Sequence, residues 1–429
     1  MLGRLVGGIA GGVVNEGVRQ FARGQRPGIN QLLLTEANAR RLAHRLAEMR
    51  GAAMKVGQLL SMDGGHLLPR ELSEVLERLR SNAHPMPLGQ VAGVLGQAWG
   101  SGWETQFERF FFKPMAAASI GQVHEALLKD GRRLAVKVQY PGIRQSIDSD
   151  VDNVASLLRL FKLLPGDLDI DALLAEAKNQ LHAEADYRRE AAALERFAAQ
   201  LDGHPRFQTP TVINDLTTAD VLAMSHLDGV PIESLADAPQ PQRDRVASAL
   251  LELALHEVFD WGLVQTDPNF ANYLYDERAG RIQLLDFGAT REYPDSRRAA
   301  LTQLVGACLD GNDDDVTAAA IAVGYLGDGD PRRYRDSIVE LLRLATEPAR
   351  QTTPYRFTDT SLAQRMSHKV MQLRVMEKYA RLPPVDILFL HRKLGGLYLL
   401  LSRLRAQLPV RALLETHLHI RSPAPSAYG

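Results

Sequence analysis

Cysteine is almost absent from this 429-residue chain. With Cys308 alone, no internal disulfide and no cysteine-rich zinc site can form, and a reducing compartment is the natural setting. Net charge is missing too. Lys and Arg number 50 against 51 Asp and Glu, which argues against a globally basic nucleic-acid binder. The apolar lead from Met1 to Val14 falls short of the roughly 20 residues that a membrane-spanning helix needs. No A-x-A cleavage site follows it directly, and the first 50 residues contain no Ser, which counts against a secretory signal and a typical transit peptide. The 12 histidines form no H-E-x-x-H pair, and no G-x-S-x-G elbow occurs, so zinc-protease and serine-hydrolase chemistry lack their signatures. A composition of 45% hydrophobic and 24% charged residues excludes disordered and collagen-like classes. At roughly 150 residues per domain the length suggests two to three domains.

What is present is unevenly placed. Residues 1–50 hold eight Arg, no Lys and three Glu, a local +5 in a chain of net −1. Residues 1–30 read as a basic, glycine-rich lead-in. Its Gly7/Gly11 and Gly8/Gly12 spacings would let helices approach closely in lipid, while a flexible tether explains the same glycines. Residues 31–105 read as a helical extension. Leu42, Leu46, Met49, Ala53, Val56 and Leu60 form one apolar stripe in a helix over Glu36–Met62. A second helix is expected over Leu67–Ala83, ended by Pro85 and Pro87, and a third over Gly89–Gly96. Strands are expected at Phe107–Phe112, Ala117–Leu128 and Arg133–Gln139, with Lys129-Asp130-Gly131 as a turn. One long helix fits Asp171–Leu201, and two more strands fit Thr211–Ile213 and Val221–Met224. From Gln240 the pattern is helical, broken by a β stretch around Asn272–Asp286. Asn312 to Asp315 reads as a solvated helix cap. Leu394–Leu401, between His391-Arg392-Lys393 and Ser402-Arg403, reads as a core helix. The class is α+β, with a sheet-containing lobe over 106–230 and a helical lobe over 231–429.

Within this layout a few residues carry chemistry. Lys137 lies inside the apolar run Ala135–Val138, where an ammonium needs a partner. Upstream, Ala116-Ala117-Ala118-Ser119-Ile120-Gly121 is a turn of small residues, past which a backbone could approach a ligand. Further on stand Gln265-Thr266-Asp267-Pro268-Asn269-Phe270-Ala271-Asn272 and Asp286-Phe287-Gly288. The five-residue step from Asp267 to Asn272 matches a kinase catalytic loop, and Asp-Phe-Gly matches the metal-binding triplet. Phosphoryl transfer needs such a set: a carboxylate near the attacking oxygen, a carboxylate and an amide on magnesium, and a lysine on the phosphates. Glu184, Asp186 and Glu190 fall in the expected long helix. At 100° per residue Glu184 and Glu190 would stand about 120° apart on it, so one cation could not easily serve both. Lys137 and Lys55 are the two candidates.

In this order the motifs resemble the UbiB family of atypical kinase-like proteins, over roughly residues 30–405. Lys55-Val56-Gly57-Gln58 matches the family's K-x-G-Q signature, Ala116–Ser119 its alanine-rich loop, and Lys137 its strand lysine. Glu184-Ala185-Asp186 matches its E-x-D motif, Glu190 its helix glutamate, Asp267 and Asn272 its catalytic loop, and Asp286 its metal-binding aspartate. The resemblance implies a two-lobed kinase-like fold with an N-terminal helical extension. It implies ATP and Mg2+ as cofactors, Asn272 and Asp286 on the metal, and Asp267, Lys137 and Lys55 in catalysis. It further implies that Ala116, Ala117, Ala118, Ser119, Gln58, Glu184, Asp186 and Glu190 serve the nucleotide, that Lys137 pairs with Glu190, and that Lys55 reaches the nucleotide beside Glu184. No Ala-Pro-Glu triplet follows Asp286, and the alanine loop lacks the glycines of an ordinary kinase, both against protein phosphorylation.

The expected function is an ATPase or phosphotransferase supporting prenyl-quinone synthesis. Quinone-pathway enzymes, prenyl-phenol lipids and an anionic membrane surface are the implied partners, no nucleic acid is implied, and homodimerisation is left open. A nucleotide-gated scaffold with little turnover and a small-molecule or lipid kinase are the alternatives. The implied location is cytoplasmic, at the periphery of a bacterial inner membrane, or mitochondrial in a eukaryote.

Overall fold

The computed structural model describes residues 49–61, 85–160, 170–358, 361–373 and 383–418. The basic lead-in and the helix expected over Leu67–Ala83 lie outside the described residues. The chain divides into two units. The first holds the described residues up to Arg188 together with Ile213–Ser225; the second holds Arg189–Val212 and the chain from His226.

The first unit is built on an antiparallel sheet of five strands: β1 (Phe107–Phe110), β2 (Ala116–Ala117), β3 (Gly121–Leu128), β4 (Arg133–Gln139) and β6 (Val221–Ser225). The order is β1-β3-β4-β6, with β2 also paired to β3. Alternation along β4 sends Leu134, Val136 and Val138 into an apolar core with Val91, Leu95, Trp103 and Phe107. Helix α2 (Leu88–Trp99) supplies Val91 and Leu95 to that core, and Trp99 Nε1 donates to the Leu216 carbonyl at 2.9 Å. Three further helices, α1 (Arg50–Ser61), α3 (Ile143–Leu160) and α4 (Ile170–Glu184), pack each against the other two. Ala52, Ala53 and Val56 of α1 are buried, as the sequence stripe requires.

The helix expected over Asp171–Leu201 is two helices. Helix α4 ends at Glu184, and α5 (Tyr187–Gln200) begins after a break at Ala185-Asp186. Asp186 accepts the Arg188 backbone N–H at 3.1 Å, a side-chain cap that starts a new helix. The released Ala185 carbonyl is claimed by Gln139 Nε2 and Arg144 Nε, at 2.9 and 2.7 Å. Periodicity alone could not show the break, because both halves keep an apolar face.

The expected strand over Ala117–Leu128 likewise divides into β2 and β3 around a turn at residues 118–120. Val212 makes only an isolated bridge, and the strand of that region is β5 (Phe207–Gln208).

The second unit contains the four-stranded sheet β5-β10-β9-β7, where β7 is Val230–Pro231, β9 Tyr273–Asp276 and β10 Arg281–Leu284. A separate two-stranded ribbon pairs β8 (Leu263–Gln265) with β11 (Thr290–Glu292). Helix α6 (Gln240–Leu255) runs into a π-helical turn, His256–Trp261, ahead of β8. The helices that follow, α7 (Asp295–Asp310), α8 (Asp313–Val323), α9 (Arg332–Ala345), α10 (Glu347–Arg350), α11 (Leu362–Met371), α12 (Val385–Arg403) and α13 (Val410–Leu418), build the second core. Asn312 caps α8 by accepting the Asp314 N–H at 3.0 Å, the solvated cap expected there. In α12 Leu397, Leu400 and Leu401 are buried while Leu394 and Leu399 face out, so the apolar run is a core helix on one side only. No helix among the described residues is long and apolar enough to cross a membrane.

Gly121 opens β3 where no side chain fits: a Cβ there would lie 2.3 Å from the Val138 carbonyl oxygen and 2.8 Å from the Tyr187 hydroxyl. Gly121→Ala is expected to cost about 2–3 kcal/mol of stability through overpacking, read as a lower urea midpoint at unchanged slope.

Candidate active site

Two loops of the second unit carry the phosphoryl-transfer motif. One joins β8 to β9 and holds Asp267 and Asn272; the other joins β10 to β11 and holds Asp286-Phe287-Gly288. They are laced together. The Leu285 N–H donates to the Asn272 carbonyl at 3.0 Å, and Thr266 donates to the Ala289 carbonyl through both its N–H (3.1 Å) and its hydroxyl (2.7 Å). Phe287 is fully buried against Phe197 of α5, ring centroids 4.9 Å apart, which anchors the triplet. Glu190, also from α5, brings its carboxylate to the same loop, where Oε1 accepts the Phe287 N–H at 3.4 Å.

Asn272 directs its amide nitrogen at Asp267 Oδ2, 3.2 Å away, which leaves the amide oxygen for another partner. Asp286 Oδ1 accepts the Gly288 N–H at 3.0 Å, and Gln265 Nε2 donates to the Asp286 carbonyl at 3.3 Å. Gln265 Oε1 is buried with no hydrogen-bond partner among the described residues. It lines a cavity of about 10 Å³ with Glu257, Asn272 and Asp286, room for one water. An amide oxygen and a carboxylate are hard oxygen donors of the kind magnesium takes while keeping several waters.

Beneath the loops lie residues that composition and spacing did not single out. Three consecutive residues of α12 each make a different contact. His391 Nε2 meets the Tyr325 hydroxyl at 2.5 Å, Arg392 pairs with Asp267, and Lys393 pairs with Glu257 at 2.8 Å. Lys393 and Glu257 are 4% and 1% exposed. Burial works against the Lys393 ammonium, but Glu257 and Tyr273 outweigh it and raise its pKa; burial lifts the Glu257 carboxyl, with Lys393 opposing. The signal available in the sequence is His391-Arg392-Lys393, three polar residues set between the apolar runs Ile387–Leu390 and Leu394–Leu401 of one helix.

The first unit places the remaining residues. Lys137 is 4% exposed on the central strand β4, opposite Val123 and Leu222 and on the face away from Val136 and Val138. Ala116 and Ala117 form β2, and the Ala118 N–H donates to the Gly121 carbonyl at 2.9 Å. Lys55, 6% exposed, is paired with Glu184 at the end of α4; Glu184 Oε2 has no hydrogen-bond partner among the described residues. Gln58 lies in the same helix as Lys55. The break at Ala185-Asp186 therefore places Glu184 and Glu190 on different helices, Glu184 in the first unit and Glu190 in the second. The 120° argument from a single helix no longer applies.

Among the described residues one group of His and acid side chains clusters closely enough to suggest a metal: His256, Asp260 and His417. Both imidazoles aim Nδ1 at one Asp260 oxygen, at 2.5 and 2.8 Å, so the shared carboxylate already satisfies them and staples α13 to the π turn.

A strand lysine, a catalytic loop and an Asp-Phe-Gly loop in an α+β chain define a kinase-like protein. A model of the ABC1 atypical kinase-like domain matches residues 78–320. The chain is 35% identical to "Atypical kinase COQ8, mitochondrial" of Saccharomyces cerevisiae, over 94% of this chain and 81% of the relative. It is 37% identical to "Atypical kinase COQ8B, mitochondrial" of Rattus norvegicus, over 90% of this chain and 73% of the relative. Among solved structures it is similar to Rv3197 of Mycobacterium tuberculosis, determined in complex with erythromycin, at 30% identity and a TM-score of 0.62, covering 89% of this chain and 95% of that one. The chain belongs to the ABC1 atypical kinase-like family, the UbiB family that its motifs resemble, and is an enzyme of the kinase class.

Two stability measurements check the framework. Lys393→Met strands the Glu257 carboxylate and is expected to cost about 3–5 kcal/mol, whereas the double variant Lys393→Met/Glu257→Leu recovers most of it in chemical denaturation. His391 titrates at about 4 because burial disfavours its charged form. The unfolded chain binds that proton more readily, so His391 contributes stability above about pH 6.5 that is lost as pH falls toward 4, roughly 3 kcal/mol in all. His391→Asn should flatten this acid limb of the stability profile.

Proposed function

We propose that this protein binds ATP with magnesium and turns it over in support of ubiquinone synthesis, by hydrolysis coupled to lipid intermediates or partner enzymes rather than by phosphorylating proteins. The observation that carries the reading is the lacing of the two loops, which presents Asp267, Asn272 and Asp286 together from adjacent turns. Asn272, through its amide oxygen, and Asp286 would hold the magnesium, whose positive charge offsets that on the transferred phosphoryl group. Lys137 neutralises phosphate oxygens, and the Ala116–Ser119 turn covers them. A backbone bearing methyl groups approaches phosphates less freely than a glycine-rich loop, which suits a narrow range of acceptors. Glu190 steadies the Asp-Phe-Gly loop from α5. Lys55, with Gln58 on its helix, controls access to the nucleotide while paired to Glu184, and Asp186 caps the start of the helix that presents Glu190.

The names of the relatives, COQ8 atypical kinases, support a quinone-linked role. The arginine-rich lead-in supplies local charge for an anionic bilayer even though the whole chain is near neutral. Two measurements test the reading. Asp286→Asn is expected to lower ATP turnover by at least roughly 100-fold and to abolish magnesium-dependent nucleotide binding. Wild-type turnover should rise with anionic liposomes and a phenolic headgroup analogue. Intact turnover in Asp286→Asn would overturn the site assignment, and robust phosphorylation of a lipid would move the function to a lipid kinase.

A further inference from the structure

The catalytic loop, Gln265 to Asn272, contains no Arg or Lys, yet its aspartate is not left as a lone carboxylate. A cation arrives from 125 residues further along the chain: Arg392 of α12 donates through Nη2 to Asp267 Oδ1. The Asn272 amide donates to the other oxygen, Oδ2, at 3.2 Å. Both partners are largely buried, with side chains 13% and 24% exposed, so this is a desolvated pair and not a surface one.

The delivery of Arg392 is built into α12. Lys393, the next residue, is locked to Glu257 of the π turn. One turn on, Gly396 lies so close to the loop that a Cβ there would sit 2.1 Å from Pro268 Cβ. The helix is therefore held both to the segment before the catalytic loop and to the loop itself. Arg392 immediately precedes the first of these anchors and stands one helical turn before the second, and its guanidinium falls on the aspartate beside Pro268.

Resting on the reading that Asp267, Asn272 and Asp286 handle ATP and magnesium, we propose that Arg392 is a positioning residue for that site. It fixes one oxygen of Asp267, so that the other fixes the Asn272 amide, and the amide oxygen is thereby aimed for the metal. The chain of contacts is Arg392 to Asp267 to Asn272, one charge-assisted bond and one amide hydrogen bond. With both of its oxygens engaged, Asp267 orients the site and takes no proton from an acceptor hydroxyl in this arrangement. That matches an enzyme whose acceptor is water more closely than one that phosphorylates a docked peptide.

The full-length chain provides the test. Arg392→Ala is expected to lower kcat for ATP hydrolysis and to raise the half-saturating magnesium concentration, each by roughly 10- to 100-fold, while KM for ATP at saturating magnesium moves less than about threefold. Added guanidinium ion should restore part of kcat to Arg392→Ala but none to Asp267→Asn, because only the first variant leaves a carboxylate for it to bind. Arg392→Lys, which keeps the charge without the planar fork, should fall between the two. Arg392→Gln provides a second truncation, and thermal melting identifies variants that fail to fold.

A folded Arg392→Ala or Arg392→Gln protein with wild-type kcat and magnesium dependence overturns the inference. So does a loss in kcat that guanidinium does not touch. If Asp286→Asn abolishes turnover while Arg392→Ala does not impair it, the inference fails and the functional reading stands. If the wild type neither binds nor turns over ATP with magnesium, both fall.

Discussion

Charge that is taken out of water must be answered by charge, and this constraint shapes both units of the protein. Lys55 and Lys393 are almost fully buried, and each meets a glutamate distant in sequence: Glu184 for the first and Glu257 for the second. Each pairing has an effect on the backbone. Glu184 is the last residue of α4, where the helix stops and Asp186 restarts it as α5. Glu257 occupies the π turn after α6, whose extra residue per turn carries the carboxylate into the core below the catalytic loop. Helix breaks and π turns cost backbone hydrogen-bonding order, and in both places an ion pair offsets part of that cost.

The phosphoryl-transfer loops depend on the second of these pairs. The β8–β11 ribbon and the β9–β10 hairpin hold the loop ends, and backbone bonds lace the loops together. Side chains then settle what the backbone leaves free. Phe287 plugs into the packing around Phe197, Gln265 tethers the Asp286 carbonyl, and α12 fixes Asp267 from below. Asp267, Asn272 and Asp286 thus each have a neighbour that sets their orientation, the form of preorganisation that phosphoryl transfer exploits.

Much of this was legible in the residues. The five-residue step from Asp267 to Asn272, the Asp-Phe-Gly triplet and the strand lysine are local patterns, and local patterns survive in a sequence without its fold. The apolar stripe of α1 and the alternation of β4 were legible for the same reason, since burial repeats with the period of the element. The break between α4 and α5 was not, because Ala185 and Asp186 interrupt neither the apolar stripe nor the helix-favouring composition, and a cap is visible only once its geometry is known. The roles of Arg392 and Lys393 were hidden for a different reason. Their partners lie 125 and 136 residues away, and a charged triplet beside an apolar run looks the same whether it ends a helix or points into the core.

The reach of Arg392 also has a consequence for how the protein comes into being. A nascent chain that has emerged only as far as β11 already owns every residue of the catalytic loop and of the Asp-Phe-Gly loop, and the strands that hold them can pair. It does not yet own the cation for Asp267. The motif thus precedes its counter-charge during synthesis, and the site completes only when a contact of long sequence separation closes, the slow kind of event in folding. Until then the aspartate has the Asn272 amide within its own loop but no counter-charge, so a partly made chain bears the family's signature without a finished site.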